Sequence, residues 1–134
     1  MTNFLGGGVD CFGTFNGKDG YVPCFKYLQD YRFHIAVENQ VSNGYFTEKI
    51  TNCFLSMTVP IYIGAPDIGK YFNTDGIIQI EEASIEAVNF AVENYCNEEN
   101  YEKRIPAIID NYNRVQSYLV VEDYLYNNYF DILK

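Results

Sequence analysis

The 134-residue chain is poor in positive charge. Nine Lys and Arg stand against eighteen Asp and Glu, for a formal net charge of −9 and a pI near 4.4. A nucleic-acid or anionic-membrane surface needs clustered basic side chains, so neither partner is expected. Histidine occurs once, at His34. The four cysteines (Cys11, Cys24, Cys53 and Cys96) form neither a CxxC nor a Cys/His spacing suited to zinc, so no metal site is expected. No window approaches the roughly 18 apolar residues of a transmembrane segment. The opening, MTNFLGGGVD, lacks the basic and apolar regions of a signal peptide. These absences favour a cytoplasmic chain with reduced thiols rather than, for example, a Cys11–Cys24 disulfide.

What is present is the composition of a folded domain, with 48% hydrophobic and 20% charged residues. A chain of this length makes one domain and buries roughly two-thirds of its unfolded surface without a staple. Residues 1–80 carry seven acids and five bases, and residues 81–134 carry eleven acids and four bases. An anion site is therefore expected in the first eighty residues. The acidic stretch from Glu81 to Glu102 has seven acids and no base, which reads as a solvated helix face.

Residues 1–22 hold six glycines and little periodicity, and read as loop. A short helix is predicted from Pro23 to Tyr31, with proline in its first turn. Phe33–Val37 and Val59–Ile63 are short apolar runs suited to buried parallel strands. Between them, Phe46, Ile50, Cys53, Phe54 and Met57 recur at helical spacing, which predicts a helix over 45–57. A helical turn around Pro66–Phe72 leads to a third strand, Ile77–Ile80. Strand–helix–strand–helix–strand is the pattern of an α/β fold with a parallel sheet, here over residues 23–82. Residues 83–134 read as helical. Ser84 is a candidate N-cap for a helix with Ile85, Val88, Val92 and Tyr95 on one face. A second helix places Tyr101, Ile105, Ile108, Ile109 and Tyr112 together, with Pro106 near its start. A third covers 117–133. There are no internal repeats and no linker.

Open parallel sheets bind ligands beyond the carboxyl ends of their strands. That places the loop from Glu38 to Gly44, and the helix opening Tyr45-Phe46-Thr47-Glu48-Lys49, at the candidate site. Backbone N–H groups at a helix start attract an anion. Lys49 adds a positive charge there, Glu48 is able to accept hydrogen bonds from ribose hydroxyls, and Tyr45 offers a ring to a base. Together these groups suit a nucleoside diphosphate. Spacing alone leaves the alternatives open, because Thr47-Glu48 also makes an ordinary helix opening and Lys49 an ordinary solvated lysine.

The residues themselves are more specific. Tyr31-Arg32-Phe33-His34-Ile35-Ala36-Val37-Glu38-Asn39, then Gly44-Tyr45-Phe46-Thr47-Glu48-Lys49, resembles the signature of the α-1,3-fucosyltransferases, glycosyltransferase family 10. The resemblance continues through Thr58-Val59-Pro60-Ile61-Tyr62-Ile63-Gly64-Ala65-Pro66 and covers about residues 9 to 82. Val37 and Phe46 depart from the family's usual Phe and Val, both apolar changes. The resemblance implies a Rossmann-like parallel sheet with flanking helices, the C-terminal lobe of a GT-B fold, with a helical C-terminal tail. It also implies a GDP-fucose-binding domain that serves fucose transfer to a glycan hydroxyl, with GDP-fucose as donor substrate and no cofactor. By position, Asn39 resembles the asparagine lining the donor site and Tyr45 the tyrosine beside the guanine. Glu48 resembles the carboxylate that contacts ribose and sugar hydroxyls, and Lys49 the lysine that neutralises the diphosphate.

No carboxylate here matches the family's general base, and Glu38 reads as a hydrogen-bond acceptor that fixes the loop. The base, the acceptor-binding domain and an arginine to the phosphates would lie before Met1, on a missing domain or a separate subunit. The isolated chain is therefore expected to bind the nucleotide sugar without transferring fucose. A Golgi setting would follow if it belongs to a longer membrane-anchored enzyme. The alternative is a non-catalytic GDP-sugar-binding or interaction module, or a degenerate glycosyltransferase. His34 reads as a packed strand histidine, Asp67 as a helix N-cap rather than a sugar contact, and Asp10 and Gly13 as turn formers.

Overall fold

The computed structural model describes residues 28–119. Six main elements follow one another: β1 (Phe33–Val37), α1 (Glu48–Leu55), β2 (Val59–Ile63), β3 (Ile78–Gln79), α2 (Ile85–Tyr95) and α3 (Glu98–Val115). Single 3₁₀ turns occupy Ile68–Lys70, Thr74–Gly76 and Gln116–Tyr118. The strands form one parallel sheet in the order β1-β2-β3. Phe33 lies opposite Val59 and Val37 opposite Ile63, while Ile61 and Tyr62 pair with Ile78 and Gln79. All five residues of the central β2 are buried, as expected where both faces of a parallel strand are covered.

Alternation along the strands divides the core in two. On one face Ala36 and Tyr62 pack against Ile50, Cys53 and Phe54 of α1, with Phe72 and Val115 closing the layer. On the other, Val59, Ile61 and Ile78 meet Ala91 of α2 and Ile108 of α3. Each fully buried aliphatic or aromatic side chain here contributes roughly 1.5–3 kcal/mol. α3 serves both faces, because its Ile108 reaches one cluster and its Val115 the other.

The two long strand predictions match residue for residue. α1 is shorter than the predicted 45–57 and begins at Glu48, after the extended N-cap Thr47. Its end is fixed by Met57 in the left-handed region (φ 57°). There Thr58 N–H donates to Cys53 O (2.8 Å) and Met57 N–H to Phe54 O (3.2 Å), the Schellman pattern that satisfies the last carbonyls. The predicted turn over Pro66–Phe72 is a 3₁₀ turn, so the second crossover contains no α-helix, and β3 has two residues instead of four.

Ser84 caps α2 as expected, its hydroxyl accepting from Ala87 N–H at 3.2 Å. The buried stripe is Val88 and Ala91, however, while Ile85 and Tyr95 are exposed. On α3 the buried positions are Ala107, Ile108, Asn111 and Val115, leaving Ile109 and Tyr112 exposed. Pro106 is the ninth residue of α3 rather than near its start. Ties on both sides hold the helix across the missing N–H bond. Arg104 donates to Asp75 O at 2.7 Å, and Asn111 bonds the backbone of Asn73. Among the described residues no helix is long and apolar enough to cross a membrane. The predicted helices Pro23–Tyr31 and 117–133, the glycine-rich start with Asp10 and Gly13, and Cys11 and Cys24 lie wholly or largely outside the described residues.

Candidate functional site

An open cleft of about 250 Å³ lies at the carboxyl ends of the strands, lined by Val41, Ile63, Gly64, Pro66, Gln79, Ile80 and Glu81. This is the location parallel-sheet topology favours for a ligand. The loop from β1 to α1 borders it through Val41. Gln79 Nε2 donates to Ala65 O at 3.4 Å, joining the β3 end to the segment after β2.

Beside the cleft, Glu38 follows β1 directly. Its N–H donates to Ile63 O at 2.8 Å, which extends the sheet by one bond. Its side chain is wholly buried. Thr47 N–H donates to Glu38 Oε1 at 2.9 Å, Thr47 Oγ donates to Oε2 at 2.7 Å, and the Tyr62 hydroxyl donates to Oε1 at 3.5 Å. Lys49 Nζ stands 3.9 Å from Oε2, with a third of its side chain exposed. A buried carboxylate without partners would be strongly disfavoured, and this one has three donors and an ammonium. Tyr62 in turn accepts Ala65 N–H at 3.3 Å. Burial, with Glu38 and Asp67 nearby, pushes the Tyr62 phenol up to about 12, so it remains a neutral donor at pH 7.

Shape fixes Gly64. A Cβ there would fall 2.6 Å from Glu38 Cγ and closer still to the Tyr62 hydroxyl. Gly44 is required for another reason, its φ of 73°. Its N–H donates to Asp67 Oδ1 at 2.7 Å, and Lys70 Nζ lies 3.7 Å from Asp67 Oδ2. Asp67 thus occupies the N-cap position of its 3₁₀ turn but makes no capping bond there. Its carboxylate reaches 23 residues back instead. Two carboxylates therefore hold the β1–α1 loop, Asp67 at Gly44 and Glu38 at Thr47.

This arrangement revises the picture of a helix start open to an anion. Thr47 N–H is taken by Glu38, Lys49 N–H by Thr47 Oγ (3.3 Å), and Tyr45 N–H by Ser42 O (3.2 Å). Tyr45 lies before α1 and is half-buried, Glu48 is its exposed first residue, and Asn39 is exposed on the loop. Lys49 is joined to Glu38, whose Cγ abuts Gly64 at the cleft wall. None of these four side chains lines the cleft itself. Phe46 is part of the core, in ring contact with Tyr71, Phe72 and Tyr118. Sequence reading did not single out Gly64 or Gln79, although a glycine directly after a buried strand signals close approach.

His34, the second residue of β1, faces Pro60 across the sheet. Burial lowers its pKa below 6.5, so it is neutral at pH 7. Burial also raises the Cys96 thiol to about 11 and the Cys53 thiol further. Neither is a reactive thiolate.

Over residues 7–103 the sequence matches glycosyltransferase family 10 (fucosyltransferase) C-term. The chain belongs to this fucosyltransferase family. The matched span includes the sheet, both carboxylate ties and the cleft. The alpha-(1,3)-fucosyltransferase FucT of Helicobacter pylori is 37% identical over 57 residues, covering 42% of this chain and 12% of that protein. Human alpha-(1,3)-fucosyltransferase 7 is 37% identical over 60 residues, covering 43% of this chain and 18% of the relative. The chain therefore corresponds to a small part of these family members. Solved structures of an alpha1,3-fucosyltransferase with GDP and with GDP-fucose each align at a TM-score of 0.57 and 24% identity. They cover 70% of this chain and 27% and 28% of the solved chains. That likeness is one of fold: a Rossmann-like parallel sheet with flanking helices, the C-terminal lobe of a GT-B fucosyltransferase.

Proposed function

We propose that this chain is the donor-binding part of a fucosyltransferase, holding GDP-fucose across the cleft at the strand ends. The observation that carries the reading is the pairing of Lys49, the one base of the β1–α1 segment, with Glu38, whose Cγ abuts the cleft residue Gly64. In this reading the Lys49 ammonium meets the diphosphate. Tyr45 lies by the guanine, Glu48 takes ribose and sugar hydroxyls, and Asn39 borders the donor. As the glycosyl bond breaks, negative charge grows on the departing diphosphate, and a preorganised ammonium stabilises it. The acceptor glycan and the base that removes its hydroxyl proton belong, on this proposal, to another domain or subunit.

Titration calorimetry with GDP-fucose, GDP-mannose and GDP tests the proposal. Binding of GDP and GDP-fucose is expected, with no fucose transfer by the purified chain alone. Failure of all three to bind removes the nucleotide reading. Transfer by the isolated chain would overturn the assignment of the base to a separate part.

A further inference from the structure

Lys49 has an occupant already. Glu38 sits where the helix-start donors converge, and its oxygens take the Thr47 N–H and hydroxyl, with the Lys49 ammonium 3.9 Å away. These are the kinds of donors an incoming phosphate would use. The carboxylate is shut off from water while the lysine side chain is a third exposed, so of the pair only the lysine is open to a ligand arriving from solvent. At 3.9 Å the contact is an ion pair without a hydrogen bond, which leaves the ammonium's donors available to the solvent side.

We propose that Glu38 is a positioning residue acting through Lys49: an internal counter-anion that docks the ammonium and weakens its hold on a diphosphate. The inference rests on the nucleotide reading above and adds that affinity is held down by a residue no nucleotide need touch. When the diphosphate binds, the ammonium is shared between Glu38 and the phosphate oxygens. Thr47 stays bonded to Glu38, so the ligand is kept to the solvent side of Lys49. The carboxylate's charge opposes that of the phosphates, which favours release of the nucleotide after use.

The test is GDP calorimetry on four forms of the full 134-residue chain: parent, Glu38→Gln, Lys49→Ala and the double variant. Glu38→Gln keeps the side-chain volume and an acceptor for Thr47 but removes the charge. Tightening of GDP binding by roughly three- to tenfold is expected, the scale of one partly exposed ion pair. No tightening is expected when the substitution is made in Lys49→Ala. A merely structural role predicts weaker binding, with no dependence on Lys49. Glu38→Asp, which restores the charge, is expected to return affinity to the parent value or below.

If the parent binds GDP and Glu38→Gln binds it no more tightly, the inference falls and the nucleotide reading stands. If the parent binds no GDP, both fall. Should Glu38→Gln fail to fold, ¹³C-labelled lysine in the unvaried chain provides an independent measurement. The Lys49 signal is expected to stand apart from the solvated lysines before GDP is added and to move at saturation. A Lys49 signal that coincides with the solvated lysines in the empty chain overturns the proposal.

Discussion

Among the buried polar side chains of the described residues, Asn111 and Glu38 each fasten a loop, and they do so differently. Asn111 on α3 accepts Asn73 N–H at 2.7 Å and donates to Asn73 O at 2.9 Å. Glu38, at the end of β1, takes the N–H and hydroxyl of Thr47. Both reach a distant backbone, and both press on a glycine: Asn111 on Gly76, Glu38 on Gly64. The amide spends its acceptor and a donor on one residue and carries no charge. The carboxylate has a charge left over, and the fold answers it with Lys49. A neutral tie is complete in itself, whereas a charged tie directs a counter-ion to a chosen place.

The largest expected effect would break the neutral tie. Asn111→Leu leaves the Asn73 N–H without a partner and its carbonyl with the Gly76 N–H alone, and about 2–4 kcal/mol of stability should be lost in urea unfolding. GDP affinity per folded molecule should not change. A shared loss of affinity would mean that the two ties are not separable. Next in size, Lys49→Ala should weaken GDP by about 1–3 kcal/mol in calorimetry, the range of a charge-assisted contact. Thr47→Ala removes the α1 cap and the shorter of Glu38's two hydroxyl bonds, with an expected loss of about 1 kcal/mol in thermal unfolding. An effect confined to nucleotide binding would contradict Thr47's structural role.

The smallest effect lies beside Asn111. Arg114, and then Asn73, hold the Asp110 carboxyl below its usual 3.8. Because the folded form favours the ionised carboxylate, its contribution is present above pH 3.8 and fades as pH falls through the lower folded-state value. Parent and Asp110→Asn should therefore differ slightly in stability near neutrality and converge in acid. A gap that widens in acid would reverse the sign. The Asn111 tie itself should show no such dependence.

How far the sequence disclosed this arrangement depends on the range of each interaction. Phe33–Val37 and Val59–Ile63 are legible to the residue, because continuous apolar runs between polar loops leave few other placements. The start of α1 is less so. Phe46 has helical spacing with Ile50, yet it is drawn into an aromatic cluster with Tyr71, Phe72 and Tyr118. The chain before Thr47 is held out of the helix by Asp67 and Ser42. Reading Glu38 as the acceptor that fixes its loop agrees with its bonds to Thr47. The reach of Asp67 to Gly44 was not legible, since nothing local distinguishes it from a cap. On α3, periodicity placed Ile109 and Tyr112 inside, whereas the tertiary choice of Asn111 and Val115 turns the helix so that both stand exposed.

The strand order has a consequence in time. Because β1, β2 and β3 pair in the order in which they occur, each new strand meets the one laid down just before it, Val59 opposite Phe33 and Ile78 opposite Ile61. Closing loops of that length costs less entropy than closing longer ones. Val115 must instead find a cluster that begins near Leu28 and Ala36, across most of the described chain. The sheet is thus able to assemble as a growing edge, whereas sealing its α1 face waits for the far end of α3. Until that helix arrives, Phe54 and Phe72 lack part of their cover, and that interval is when the chain is most open to association with its own copies.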